Sequence, residues 1–216
     1  MRLPLILAAL TVPDPSDAGA WMRTQGEAFL SYSAVYEETG RLDGSVYFEY
    51  GFRPRLTLGA KVDIDMTNGR TGDGTAFLFA RKPIGPTDRP GKMAFEIGLG
   101  STFGDSSDAL LRTGLSYGRG IKLWDKYGWV AIDGAVEWDL SGGPETSKLD
   151  TTAGLALNDR FKVMMQVFVS HTGSTTSTTL APSVIWQPKE KTPSYQLGVE
   201  AEDGVLAVKL GVWRTF

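Results

Sequence analysis

From Leu56 onward apolar side chains fall on every second residue, Leu56, Leu58, Ala60, Val62 and Ile64, while Thr57, Gly59, Lys61, Asp63 and Asp65 take the positions between. A β-strand turns successive side chains to opposite faces, so this stretch has one oily face and one charged face. The pattern recurs after Trp21 in about twelve segments separated by short polar, Gly or Pro breaks, with no helical periodicity. Met93, Phe95, Ile97 and Leu99 alternate with Ala94, Glu96, Gly98 and Gly100, and Val130, Ile132, Val136 and Trp138 oppose Asp133, Glu137 and Asp139. The first segment is expected near Gln25 to Tyr36 and the second near Ser45 to Tyr50. In the fourth, Thr75 to Lys82, Phe77 and Phe79 compete with Ala76, Leu78 and Ala80 for the oily face. The carboxylates on the polar faces are too many for a dry core and need water. The oily faces are therefore assigned to lipid, and the predicted fold is all-β: a transmembrane antiparallel up-and-down β-barrel of about 12 strands.

A hydrophobic content of 42% looks soluble, but only alternate residues of a barrel strand meet lipid. The longest apolar run, Leu3 to Leu10, is too short for a spanning helix of about 20 residues. Met1-Arg2, LPLILAAL and then Ala18-Gly19-Ala20 read as a secretory signal cleaved before Trp21, giving a signal over 1–20 and a barrel over 21–216. With no cysteine there is no disulfide, thiolate metal site or lipoprotein anchor, and a net charge of -3 gives no reason to propose nucleic acid.

Taking the N-terminus as periplasmic, Tyr50, Tyr117, Phe161, Trp186, Tyr195 and Phe216 fall at periplasmic strand ends, with Tyr36, Phe103 and Trp138 at outer ends, as two interfacial girdles would. The same side collects Arg53, Arg55, Lys82, Arg89, Lys92, Arg119, Lys122, Lys126, Arg160, Lys189 and Lys191. The opposite side collects Glu37, Glu38, Asp43, Asp73, Asp105, Asp108, Glu145, Glu202 and Asp203. A basic rim suits anionic headgroups, and equally fits ordinary solvated turns.

The chain ends in VLAVKLGVWRTF. Alternating Val208, Leu210 and Val212 before a terminal Phe216 resemble the assembly signal of bacterial outer-membrane barrels, although Arg214 departs from the apolar or aromatic residue usual there. The stretch EYGFRPRLTLG, beginning at Glu49, is similar to the E-Y-G-x-x-x-R-L-T-L hairpin of small outer-membrane barrels, including transporters linked to meta-pathway phenol degradation. These resemblances imply a barrel in the cell outer membrane, with membrane lipid and the barrel-assembly machinery as partners; they imply no substrate.

No catalytic constellation emerges. His171, the single histidine, lies in SHTGSTTST, where a serine on the same strand face would have to stand two residues away and Gly173 stands there instead. Asp63, Asp65, Thr67, Asn68 and Gly69 lack the Gly and Glu positions of a calcium loop. No metal or cofactor is expected. What remains is the inward charge set, with Glu49, Lys61, Asp63, Asp65, Glu96, Arg112, Asp133, Glu137, Asp139, Lys148, Asp150 and Lys162 as candidate lumen-lining residues. Asp133, Glu137 and Asp139 give this set an acidic excess on one strand face, which favours cations. Phe77, Phe79, Trp129, Phe168 and Trp213 on the same face point to a constricted lumen. The expected function is a non-enzymatic narrow channel or passive transporter of small solutes. The alternatives are a structural barrel with a filled lumen, an outer-membrane enzyme of unrecognised type, and a soluble periplasmic barrel that binds a ligand.

Overall fold

The computed structural model describes residues 19–67, 70–189 and 192–216. Twelve strands follow one another: β1 Ala28–Glu37, β2 Arg41–Arg53, β3 Leu56–Thr67, β4 Arg70–Pro83, β5 Gly91–Phe103, β6 Ala109–Leu123, β7 Lys126–Asp139, β8 Thr146–Ala156, β9 Phe161–Thr172, β10 Thr175–Trp186, β11 Ser194–Glu202 and β12 Val205–Thr215. Each pairs antiparallel with its sequence neighbours, and β12 returns to β1, so the sheet closes into a barrel with no free edge. The closure ends at the terminal residue. The Phe216 N–H donates to the Ala28 carbonyl at 2.8 Å, and Ala28 N–H returns the bond at 3.3 Å.

Turns are short at both ends of the barrel. Between β11 and β12, Asp203 and Gly204 adopt φ of 49° and 85°. Paired positive φ is what a two-residue hairpin needs to match the twist of its strands, and Asp-Gly supplies it at little steric cost. The end where β1 begins and β12 finishes is called proximal below, and the opposite end distal. The basic residues of the charge division, Arg53, Arg55, Arg119, Lys122, Lys126, Arg160 and Lys189 among them, fall at the proximal end, and the acidic set falls at the distal end. Lys191 lies outside the described residues, as do Asn68 and Gly69 of the calcium-like stretch and 1–18 of the signal.

The faces sort as the alternation requires. Leu78, Leu99, Leu197 and Leu210 stay 55–71% exposed on the outside of a closed sheet. Large apolar side chains spread so evenly around a barrel belong against lipid. Among the described residues no helix is long and apolar enough to cross a membrane; a closed barrel with an apolar outer face can span one with its backbone groups satisfied. Phe77 and Phe79 turn inward and are buried, while Leu78 faces out, which resolves the ambiguity in β4. Inside, Phe29, Trp129, Met164, Ile185 and Trp213 pack into one apolar cluster with Trp21 and Tyr47 against it, filling the proximal part of the lumen.

Several boundaries differ from the expected ones: β4 starts at Arg70 rather than Thr75 and β2 runs on to Arg53 rather than Tyr50, because pairing with β3 continues past the alternating stretches. The first strand starts at Ala28 rather than near Gln25, because Gly26 at φ 86° turns the chain and the Glu27 N–H donates to the Thr24 carbonyl. The second starts at Arg41, earlier than expected: Arg41 to Gly44 carry no apolar alternation, yet β1 and β3 on either side supply ladder partners to this stretch.

Candidate functional site in the barrel lumen

The interior charges form a continuous ladder. On β4 and β5, Arg81 stands directly opposite Glu96, and on β6 and β7, Arg112 stands directly opposite Glu137. Facing positions bring opposite charges into contact across a sheet. Arg81 Nη2 donates to Glu96 Oε2 at 2.6 Å, Arg112 Nε to Glu96 Oε1 at 3.0 Å and Nη1 to Glu137 Oε1 at 2.5 Å. Lys148 Nζ on β8 closes on the Glu137 carboxylate at 2.9 Å. In the other direction Arg81 also bonds Glu49 on β2. It reaches across β3 because β3 offers only Thr57 and Gly59 at that level. Tyr47 braces the join, donating to Glu49 at 2.6 Å and accepting from Arg81 at 2.9 Å. Acid and base thus alternate from β2 to β8, and Glu49 is almost wholly buried.

Residues 19–26 run inside the barrel at its proximal end. Arg23 Nε donates to Glu49 Oε2 at 2.5 Å, extending the ladder, and the Arg23 N–H donates to Thr57 Oγ1 at 3.2 Å. Gly26 N–H donates to the Gly51 carbonyl and Gly51 N–H to the Glu27 carbonyl, both at 2.9 Å. Gly51 has no space for a side chain because the Thr24 backbone lies against it, and Gly118 has none because the Trp21 ring does. Glu49, Gly51 and Thr57, which all lie within EYGFRPRLTLG, therefore hold this segment. Sequence reading placed the first strand over part of it; its only local signal was the Gly26 break.

Two spaces remain. A distal vestibule of about 600 Å³ is lined by Arg41, Asp43, Asp63, Asp65, Asp73 and Asp105 among others. Below it lies an inner cavity of about 240 Å³ whose wall includes Lys61, Arg112, Asp133, Asp150, Gln166 and Gly19. Ser45 lines both, so the two adjoin at that residue. Arg41 lies 3.0 Å from Asp43 and 3.2 Å from Asp65, and Lys61 lies 2.9 Å from Asp63, which also accepts from Ser45 at 2.7 Å. Three buried polar atoms lack a hydrogen-bond partner among the described residues, Arg81 Nε, Asp133 Oδ1 and Gln166 Oε1, and all three residues line the inner cavity. A polar cavity of this size with orphaned donors and acceptors holds water.

The structure divides the candidate residues by role. Glu49, Glu96, Arg112, Glu137 and Lys148 are ladder members, and Lys61, Asp133 and Asp150 line the inner cavity, whereas Asp63 lines the vestibule. Asp65 lines the vestibule, and Lys162 is on the interior side of β9 near its proximal end. Asp139 departs from the expectation: at the end of β7 it accepts the Ser141 N–H at 2.7 Å and caps the loop. Glu137, clamped between Arg112 and Lys148, is neutralised. The expected acidic row Asp133, Glu137 and Asp139 is therefore broken, because ladder partners and turn geometry claim two of its three members. Lys209 likewise pairs with Glu200 at 2.9 Å. His171 bonds Thr176 on the neighbouring strand through Nδ1 at 2.8 Å.

Solved structures share this architecture. The KdgM porin aligns at a TM-score of 0.64 with 11% identity over 87% of this chain and 99% of its own, and the NanC porin at 0.62 with 10% identity over 86% and 98%. This is a porin-type barrel fold. The COG4313 outer membrane channel from Pseudomonas putida F1 aligns at 0.50 with 11% identity, over 94% of this chain and 100% of its own. No protein-family model matches the chain, and no curated protein sequence does. At these identities the likeness is one of fold, and it does not single out the phenol-degradation-linked family suggested by EYGFRPRLTLG.

Proposed function

We propose that this barrel is a non-enzymatic channel of the bacterial outer membrane, narrow and closed at its proximal, periplasmic end, that admits small polar solutes with a preference for cations. The observation that carries the reading is the pair of spaces adjoining at Ser45, vestibule and inner cavity, inside a barrel whose outside is an apolar belt. Water and small solutes entering distally meet Asp43, Asp65, Asp73 and Asp105 against Arg41, a local acidic excess that survives the internal pairing. Residues 1–20 would serve as the secretion signal. The C-terminal strand, ending at Phe216 on the closing seam, would be what the barrel-assembly machinery reads. The EYGFRPRLTLG resemblance is compatible with a transporter and leaves its solute open.

Membrane fractionation followed by planar-bilayer recording tests this. Detergent-extractable protein that migrates faster on gels before heating, with small cation-preferring conductance, is the expected result. A second reading, a structural barrel with a permanently filled lumen, is favoured by the ladder and by the apolar cluster around Trp129 and Trp213. Absence of conductance in folded protein, even after residues 19–24 are deleted, would replace the channel by that reading.

A further inference from the structure

We infer that the lumen is a socket for the chain's own processed N-terminus, and that Asp133 is the counter-ion for the α-ammonium that processing creates. Asp133 on β7 and Asp150 on β8 stand directly opposite each other on the interior face, an arrangement that destabilises a sheet when both are charged and no cation lies between them. Neither makes an ion pair within 4 Å among the described residues, although every other carboxylate at this depth of the lumen is clamped by an Arg or Lys. Asp133 Oδ1, moreover, has no hydrogen-bond partner of good geometry among the described residues, although Ser116 and the Gly19 backbone lie beside the carboxylate. Arg81 acts on Asp133, and Lys61, Lys148 and Arg112 on Asp150, only from beyond ion-pair distance, so among the described residues no cation touches either carboxylate.

Gly19 is the residue against that oxygen: a Cβ placed on it would lie 2.9 Å from Asp133 Oδ1 and 2.6 Å from Ser116 Oγ. Ala18-Gly19-Ala20 is also the small-residue site at which the secretion signal is expected to be cut. Hydrolysis there consumes one water, breaks one peptide bond and leaves a new amine that is protonated near neutral pH. The geometry selects the cut after Ala18, two residues before the 1–20 boundary expected from the sequence, because only that cut keeps Gly19 and puts the ammonium on it, beside the orphaned carboxylate. The rest of the socket then fixes the segment. Trp21 fills the space left by Gly118, Arg23 engages Glu49 and Thr57, and Thr24 lies on Gly51. The EYG and LT portions of EYGFRPRLTLG become a clamp for the N-terminal segment, a role that neither strand pairing nor turn formation requires of Glu49 and Thr57. The proximal closure of the lumen is thus made when the signal is removed, and an unprocessed chain would lack the charge that Asp133 awaits.

The inference rests on signal cleavage and does not depend on ion passage, so its test reads the amine rather than a current. Mature protein purified from outer membranes, folded in detergent, is first sized by intact-mass measurement; a start at residue 19 is expected, and any other start overturns the proposal. The α-amine is then acetylated with a small succinimidyl ester near neutral pH and followed by peptide mass spectrometry, with Lys122 and Lys126 at the exposed rim as internal standards. Slow labelling in the native protein, rising at least about tenfold in Asp133→Asn with the rim lysines unchanged, is expected. Gly118→Val, which excludes the Trp21 ring and leaves Asp133 intact, serves as the second variant and should also expose the amine. Equal α-amine labelling in the native protein and a folded variant would overturn the inference.

Discussion

At the scale of single residues, Arg81 is the position on which most of the interior depends, because one guanidinium satisfies Glu49, Glu96 and Tyr47 at once. Removing one partner of a buried pair leaves its charge uncompensated, at a cost of about 3–5 kcal/mol. Arg81→Ala should lose at least that much in denaturant titrations in lipid, whereas Arg41→Ala at the half-exposed distal rim should lose under about 1 kcal/mol. On the outer face, Ile97→Arg should cost about 2–4 kcal/mol while Lys162→Arg on the inner face costs little, measured the same way. Gly98, an inward position that alternation alone would count as tolerant, is no such control: a side chain there would meet the Leu78 carbonyl at 3.0 Å and Phe79 Cβ at 3.1 Å. Which face a residue takes was legible from period-two alternation. Its partner was not, since Arg81 reaches Glu49 over an intervening strand and no spacing in the sequence encodes that reach.

Among the elements, β10 and β11 form the weak seam. Pro182 lies within β10 and has no N–H to give to a ladder. Pairing with β11 lapses between Leu180–Ala201 and Ser183–Gly198, and a lipid-facing groove of about 760 Å³ runs along the outside there, lined by Leu155, Val163, Pro182 and Val199 among others. By contrast β6 pairs with β7 without interruption from Leu110 to Leu123. Local opening follows the density of hydrogen bonds and packing, so the amide of Val199, which points to the lapsed β10 side, should exchange with deuterium well before those of Gly114 to Tyr117. Comparable protection along both seams would show that the lapse has no dynamic weight. The strands themselves were readable wherever alternation holds, which it does not over Arg41 to Gly44 or the start of β4. The segment 19–26 was not, because it is held by contacts to Glu49, Gly51, Thr57 and Gly118, far away in sequence, and has no periodicity of its own.

For the whole molecule, charge is biased along the barrel axis, with a basic excess at the proximal turns, where Asp88, Asp125 and Asp159 also lie, and an acidic excess at the distal ones. Within the lumen the ladder cancels itself, so selectivity passes to the vestibule. Replacing Asp43, Asp65 and Asp105 together by Asn should reduce cation preference in bilayer recordings, whereas Glu137→Gln should change stability more than selectivity, because Arg112 and Lys148 already neutralise it. An unchanged reversal potential in the triple variant would put the selective step deeper, at Asp150 and Lys61. The ladder also bears on how such a chain can diverge. Since Glu49, Arg81, Glu96, Arg112, Glu137 and Lys148 each answer to a neighbour, a lone substitution leaves a stranded charge, and drift at these sites is confined to compensated exchanges. Descendant sequences should gain or lose these residues in correlated pairs, while the outward Leu, Ile and Val positions interchange freely with one another.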